Sequence, residues 1–571
     1  MSPSPQVLSH FSARAAHIRC MKPLHSVLMA LAATLLASHP AAAQPVIAAL
    51  GVRNAASYTL PGLPNAGIAQ GSLFIVFGQN MGPAKIVQVS SFPLPTSAGL
   101  AGTSIQITIN GTSVDAIMLY TLATQVAAVL PSSTPIGTGT MTVTYNGQTS
   151  AAAPITVVKS TFGIFAVNQS GTGQAVLQNV NSATDRPFNS PTQSAQPGQV
   201  MILWGTGLGP VTGNEAAGPL PGDMPNLNVH VWVDGKDAAI QYRGRSGCCT
   251  GDDQIVFVVP AGVEGCALPV YVQIDNTVSN FVTMAIGKAG AECTDPGDLT
   301  PAQLATATKN GGIRSASLGV NHYDGVSGTT HEVSDGLQGV FAKTPLSALS
   351  GLNLAPIAGV CTVFQFPVAG PNGTNTYLDA GKISVSGPVG PYDLYSAIKG
   401  QYQLSFLPGA TSSPGLITDG TTLPPGSYTF TGSGGVDVGA FTATINYVDT
   451  FHWDQSSVST IDRSQPLTIT WTGGTAGALV SINVISSAAP GPMGSVGAAV
   501  FCAQDGAVGS FTIPAPLLSA LPPSYTDADG NPQGTIEVYE NFAGPMFTAS
   551  GLDLGSISFQ VTFTKGSVAI Q

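Results

Sequence analysis

The chain has 571 residues, with 68 Gly, 43 Pro and 43% hydrophobic residues but only 8% Asp, Glu, Lys and Arg, against roughly 25% in an average globular protein. With 18 basic residues facing 29 acidic ones there is no basic footprint for nucleic acid. The apolar share is too high for disorder, and heptad-forming residues are too few for a long coiled coil. A large folded chain remains, rich in turns, with polar rather than charged surfaces.

The stretch from Lys22 to Ala43 reads as an export leader. Lys22 supplies the positive start, Val27 to Ala37 the apolar centre, and Ala41-Ala42-Ala43 a cleavage site before Gln44. Met21 offers an internal start. The apolar run is shorter than the roughly 20 residues of a membrane span, and no later run replaces it, so the expected mature chain has no span. No Cys follows the cleavage site to take a lipid anchor. Without the leader the chain carries 15 basic and 29 acidic residues, a net charge of −14.

Six cysteines then remain: Cys248, Cys249, Cys266, Cys293, Cys361 and Cys502. An even count in an exported chain points to disulfides. The CxxC and Cys/His spacings of zinc sites are absent, so no metal and no cofactor is expected. Position alone pairs Cys361 with Cys502, and the Cys248/Cys249 doublet with Cys266 and Cys293.

An internal repeat organises the first half. Gly71-Ser-Leu-Phe-Ile-Val-Phe-Gly78-Gln-Asn-Met-Gly82-Pro83 recurs as Gly198-Gln-Val-Met-Ile-Leu-Trp-Gly205-Thr-Gly-Leu-Gly209-Pro210. Leu73, Ile75 and Phe77 align with Val200, Ile202 and Trp204, the alternation of a half-buried strand. Ile105, Ile107 and Ile109 before Asn110-Gly111 match Val229, Val231 and Val233 before Asp234-Gly235, both strong hairpin signals. Gln125 to Pro131 matches Gln254 to Pro260. Met141, Val143 and Tyr145 before Asn146-Gly147 match Val270, Val272 and Ile274 before Asp275-Asn276. The second copy carries a five-residue insertion at Gly247-Cys-Cys-Thr-Gly251, read as a loop clipped by disulfides. Two such copies predict tandem Ig-like β-sandwiches.

At these residues the chain resembles a bacterial family of exported proteins with paired IPT/TIG-like Ig domains. The resemblance is carried by Asn54-Ala-Ala-Ser-Tyr58, by Phe77-Gly78-Gln-Asn-Met-Gly82, and by Trp204-Gly-Thr-Gly-Leu-Gly-Pro210. Gly244-Arg-Ser-Gly-Cys-Cys249 through Asp253-Gln254-Ile255 to Gly265-Cys266 is similar to a subgroup of that family. The likeness spans roughly residues 47–295 and implies an Ig-like fold and export. It brings no catalytic residues.

Beyond Cys293, the linker Thr294-Asp-Pro-Gly-Asp298 leads into a predicted short helix from Thr300 to Gly311. Strand patterns then return, with Trp471 as a candidate buried aromatic. The expected organisation is a leader (1–43), Ig-like domains (44–158 and 159–290), a linker (291–312), a β-rich domain (313–452) and an Ig-like sandwich (453–571). The fold class is therefore all-β: tandem Ig-like sandwiches, then a further β-rich region with a C-terminal Ig-like sandwich.

Chemistry is harder to find. There is no G-x-S-x-G elbow and no HExxH, so no catalytic residue is assigned. His331-Glu332 and His322-Tyr-Asp324 hold acid–base groups, but in a Gly- and Ser-rich stretch that reads as a solvated loop. His230 and Trp232 fall between the apolar valines and share the outer sheet face, a candidate platform for a sugar or partner. Gly205-Thr-Gly-Leu-Gly209 lacks the spacing and following helix of a phosphate loop. Asp527 and Asp529 are candidate Ca²⁺ ligands, but they lack EF-hand register and a distal Glu, so a hairpin turn is the preferred reading. The expected function is non-enzymatic adhesion or interaction at or beyond the cell surface, with a polysaccharide or a cell-surface protein as partner. The alternatives are a carbohydrate-binding protein, with Trp232 and Trp453 as platforms, and a hydrolase within 300–571. Oligomeric state is left open.

Overall fold

Strand-forming alternation becomes strands almost throughout the computed structural model, which describes residues 43–291, 293, 309–345, 358–366, 375–490 and 495–571. The expected leader lies outside these residues, as does the predicted helix apart from its helical end at Lys309 and Asn310. No helix among the described residues is long and apolar enough to cross a membrane.

In the first sandwich one sheet orders Val46–Asn54, Leu73–Gln79, Gln125–Val129, Ile117–Leu122 and Val87–Gln88. The other is built on Ile68–Ala69, Ala153–Val158, Gly137–Tyr145, Thr103–Ile109 and Thr112–Asp115. Ile105, Ile107 and Ile109 enter the core together with Met141 and Val143, as their alternation requires. The repeat strand behaves differently. Phe74 and Val76 enter the inter-sheet core, while Leu73 joins a separate cluster with Leu94, Ile117 and Val129 on the opposite face. Met201 and Leu203 do the same in the second copy. Both faces of the strand are covered, so it is not half-buried, and alternation could not choose the inner face.

Asn110-Gly111, Asn146-Gly147 and Asp234-Gly235 each place both residues at positive φ. That is type I′ turn geometry, whose twist matches the flanking strands.

The second sandwich is a single ten-stranded sheet folded on itself. Lys236–Arg245 makes the fold: its first residues, to Ala238, pair with Val229–Val233, and from Ala239 onward, across an irregularity between Ile240 and Tyr242, the strand pairs with Asp253–Val258. Such bulges re-aim a strand and let it serve two layers. Val231, Val233, Val270 and Val272 fill the interior with Ile255 and Phe257. In the first copy the turn before Gln125 is Ala123-Thr124; in the second the same connection runs from Ser246 to Asp252, so the insertion lengthens one hairpin loop.

The second half departs from expectation. Ile313–Ser327 pairs in parallel with the last strand, Leu554–Ile570, from Ser315 opposite Leu554 to Val326 opposite Lys565. One twelve-stranded sheet therefore spans the expected 452/453 boundary. A four-stranded sheet (Ile383–Ser386, Tyr392–Asp393, Gly426–Gly432 and Phe441–Tyr447) contributes to the same core cluster, which also holds Trp453, Trp471 and Val484. The described residues between 313 and 571 thus share hydrogen bonding and core, rather than dividing at Trp453. The correction has a physical reason: strand periodicity reports burial but not which strand is the partner.

Val360–Phe366 is the edge strand of this large sheet, and Cys361 lies directly opposite Cys502, with which it forms a disulfide (Cα–Cα 4.0 Å). The same edge strand reaches the front of the chain: Gln365 Oε1 accepts from Leu60 N at 2.8 Å, and its Nε2 donates to Tyr58 O at 3.2 Å. The Asn54-Ala-Ala-Ser-Tyr58 motif has a matching structural role. Buried Asn54 accepts from the Ala56 and Ser57 amides at 2.8 and 3.0 Å, and its Nδ2 donates to Thr161 O at 3.4 Å.

Candidate functional site

The most elaborate polar arrangement lies where the two sandwiches meet. Arg245 ends one strand and Asp253 begins the next, directly opposite, on either side of the insertion. Their side chains form an ion pair with almost no exposure (3% and 0%). Arg245 Nη2 also donates to Gly71 O at 2.7 Å and Gly209 O at 2.8 Å, so one guanidinium joins the repeat motifs of both copies. Asp253 Oδ2 accepts from the amides of Gly207 and Leu208 at 2.6 and 2.8 Å. The glycine loop does cradle an anion, and the anion is the protein's own carboxylate.

Around this clamp, Thr206 Oγ1 accepts from Leu73 N at 2.8 Å and donates to Gly251 O at 2.7 Å. Buried Glu215 accepts from Ser132 N at 2.7 Å and from Ser132 Oγ at 3.0 Å. Gly71 sits at φ 72°, and a Cβ there would collide with Arg245 Nη2. Sequence reasoning missed Arg245, Asp253 and Glu215. The available signal was a charge at the inner end of each β-run flanking the insertion, conspicuous in so uncharged a chain.

The insertion loop forms one wall of a cleft of about 400 Å³ facing the first sandwich. Leu73, Val89, Phe92, Leu94 and Leu119 supply its apolar side, and Cys248, Cys249, Thr250 and Asp252 the other. The expected pairing of this doublet is corrected here: Cys266 bonds Cys293 (Cα–Cα 5.5 Å), and Cys248 and Cys249 are exposed thiols. The reason is topological. Gly265 pairs with Ile286, which puts Cys266 beside the segment leading to Cys293, whereas Gly251 of the insertion packs against Val129 and Leu73 of the first sandwich.

The two thiols and the Asp252 carboxylate lie within 4.8 Å of one another, donors that could hold a soft cation. Cys248 Sγ donates to Asp252 Oδ2 at 3.8 Å and lies 3.3 Å from Ser246 Oγ. Burial pushes the Asp252 carboxyl up to about 6. Burial also pushes the Cys249 thiol up to about 12, helped by Cys248 and by the charge of Asp252.

The other candidates are placed as follows. Trp232 is half-buried, stacked on buried Tyr271 (6.1 Å, 15°), which in turn stacks on Phe281; Trp232 Nε1 donates to Gln273 Oε1 at 3.1 Å. Tyr271 and Phe281 belong to the core of the second half, so this face is largely a seam. His230 meets Asp237 at 2.8 Å at its edge. Trp453, expected as a platform, is 1% exposed and is core. Asp527 Oδ1 accepts from the Asp529 and Asn531 amides at 3.0 and 2.9 Å, so its carboxylate closes a turn.

His322 and His331 lie on a long hairpin, Ile313–Ser327 with Thr330–Thr344, and not in a solvated loop. The glycines that suggested a loop are packed against neighbours: Tyr323 lies over Gly325 and Leu318 against Gly339. His331 Nε2 meets Asp324 Oδ1 at 2.9 Å, and Glu332 is exposed beside it. His322 Nδ1 meets Asp335 Oδ1 at 2.7 Å, and Asp335 Oδ2 accepts from Leu423 N at 2.7 Å. That hydrogen bond, with the charges of Asp335, Asp449 and Asp324, raises the imidazole above its ordinary value. Protonated His322 therefore favours the folded state. Its contribution is full below the unfolded value and is lost as pH rises through the higher folded one. Asp335→Asn is expected to flatten the fall in melting temperature as pH rises above the ordinary imidazole value, read by thermal unfolding across a pH series.

These elements define an all-β, Ig-like protein with tandem sandwiches. No family model matches the chain, and no curated protein does. Among solved structures it is similar to Sidekick-1 immunoglobulin domains 1–4, at 11% identity over 90% of this chain and 97% of that one, with a TM-score of 0.11. It is similar also to domains 5–6 of the S-layer protein SbsC, at 11% identity over 43% of this chain and 98% of that one (TM-score 0.15). The fold assignment rests on the strand order and register described above.

Proposed function

We propose that this chain is an exported, non-enzymatic β-sandwich protein serving adhesion or interaction at the cell surface or outside the cell, with a surface protein as its partner. The observation that carries the reading is the Arg245–Asp253 clamp, which joins the two repeat motifs through a buried ion pair and two carbonyls. A scaffold that holds binding surfaces at fixed spacing avoids the ordering cost of a flexible array. Two disulfides suit an oxidising compartment, in keeping with residues 1–43 as leader and with the resemblance to exported bacterial proteins. Domain limits at 44–158 and 159–290 belong to the same reading.

Sugar binding would call for exposed coplanar rings, and Trp232 offers one half-buried ring against a buried tyrosine. Catalysis would call for a third partner at His322, whose hydrogen bond among the described residues goes to Asp335. The test is a glycan array and a surface-protein screen with the purified full chain, with Trp232→Ala as control. Binding to a surface protein that survives Trp232→Ala is expected. A polysaccharide bound through Trp232, or hydrolysis abolished by His322→Ala, would overturn the proposal.

A further inference from the structure

We infer that Cys248 and Cys249 close a vicinal disulfide in the exported protein, forming one wall of the cleft between the insertion and the first sandwich. The inference rests on the export reading above. Among the described residues they are the free cysteines, in a chain whose other described cysteines are bonded to each other. Adjacent residues hold their sulfurs at high effective concentration. Here the sulfurs and the Asp252 carboxylate already lie within 4.8 Å of one another.

The loop that carries them is fixed at both ends. Ser246 N donates to Asp252 O at 3.0 Å, and beyond that contact stands the Arg245–Asp253 pair. Neither cysteine can reach Cys266 or Cys293 without unseating Gly251 from Leu73 and Val129. A zinc site is the weaker reading, because two sulfurs and one carboxylate fall short of the four ligands of a structural zinc.

The chemistry needs a disulfide-bearing oxidant, RS–SR, of the kind an oxidising compartment supplies. Cys248 passes its proton to Asp252, the carboxylate its sulfur already faces. The thiolate attacks the oxidant, forming a mixed disulfide and releasing one RS⁻. The released RS⁻ takes the Cys249 proton, the Cys249 thiolate attacks Cys248 Sγ, and the second RS⁻ leaves and takes the proton held by Asp252. The protein loses two electrons and two protons, and the oxidant becomes two RSH. The product is a small ring that includes the peptide bond between the cysteines. It replaces two thiol donors with an uncharged surface beside Phe92 and Leu94, making the cleft wall more apolar and more rigid.

The test uses the full chain recovered from the exported fraction, acid-quenched and alkylated under denaturing conditions with and without reductant. Cleavage at aspartate separates Cys248 and Cys249 from Cys266, and mass spectrometry reads the fragments. The expected result is an unreduced fragment lighter by two hydrogens than the dithiol, with no label, which takes two labels after reduction. Labelling of Cys248 and Cys249 while Cys266–Cys293 and Cys361–Cys502 stay intact would overturn the inference and leave the export reading standing. Labelling of all the cysteines without reductant would overturn both. Thiols that label in the intact protein only after a chelator would mark a metal site and overturn the disulfide. In Cys248→Ser, Cys249 is expected to label without reductant, which checks that the fragment is accessible to the reagent.

Discussion

Replacing Arg245 with alanine is expected to lower the stability of the full chain by about 3–5 kcal/mol, the usual effect of removing one partner of a buried ion pair. The size follows from what is left behind. Asp253, with no solvent exposure and a carboxyl that burial already raises, would lose the cation that opposes that burial cost. Gly71 O and Gly209 O would lose their shared donor at the same time. Denaturant unfolding of Arg245→Ala, Asp253→Asn and the double variant reads the coupling directly. The double variant should cost less than the two singles added together, because each single strands the other's charge. Gly71→Ala should fall in the same direction, since its methyl would occupy the place of the guanidinium. Additive singles would mean that the pair does not act as a unit.

Removing the Cys361–Cys502 disulfide as Cys361→Ala with Cys502→Ala is the second large effect, expected at about 5 kcal/mol from the chain entropy freed in a loop of this length. The separation is 141 residues, against 27 for Cys266–Cys293, whose loss should cost about 3.5 kcal/mol by the same argument. The consequence should also be local. Among the described residues, Val360–Phe366 is an edge strand whose ladder partner is Gly497–Asp505. Without the disulfide its amides should exchange faster, and the Gln365 contacts to Tyr58 and Leu60 should loosen with them. A variant with an unchanged midpoint and unchanged exchange over 360–366 would show that the sheet ladder alone holds this edge.

Hairpins and the repeat were readable because their signals are local. A positive φ at Asn110 or Asp234 is favoured by the residue itself, and the isoleucine and valine runs beside them carry a single period. The inner face of Leu73–Gln79 was not readable, because Leu-Phe-Ile-Val-Phe is apolar on both alternations and both sides are covered. Neither was the joined second half: nothing local in Ile313–Ser327 announces a parallel partner more than two hundred residues away. The insertion was located correctly by offset, yet its cysteines were assigned to partners that topology keeps at another end of the sandwich. The clamp itself went unseen. Its three buried charges belong to separate segments, and only the folded register brings Gly71, Gly209, Arg245 and Asp253 together.

Hydrogen exchange across the seam tests most directly whether this register locks the two sandwiches into one rigid unit. In the full chain, the amides of Gly207 and Leu208, which donate to Asp253, and of Leu73, which donates to Thr206, should be protected as strongly as the core strands Gln125–Val129 and Asp253–Val258. That protection should vanish at all three in Arg245→Ala while the core strands keep theirs. Exchange of these amides at the rate of an open loop in the unaltered protein would contradict the account.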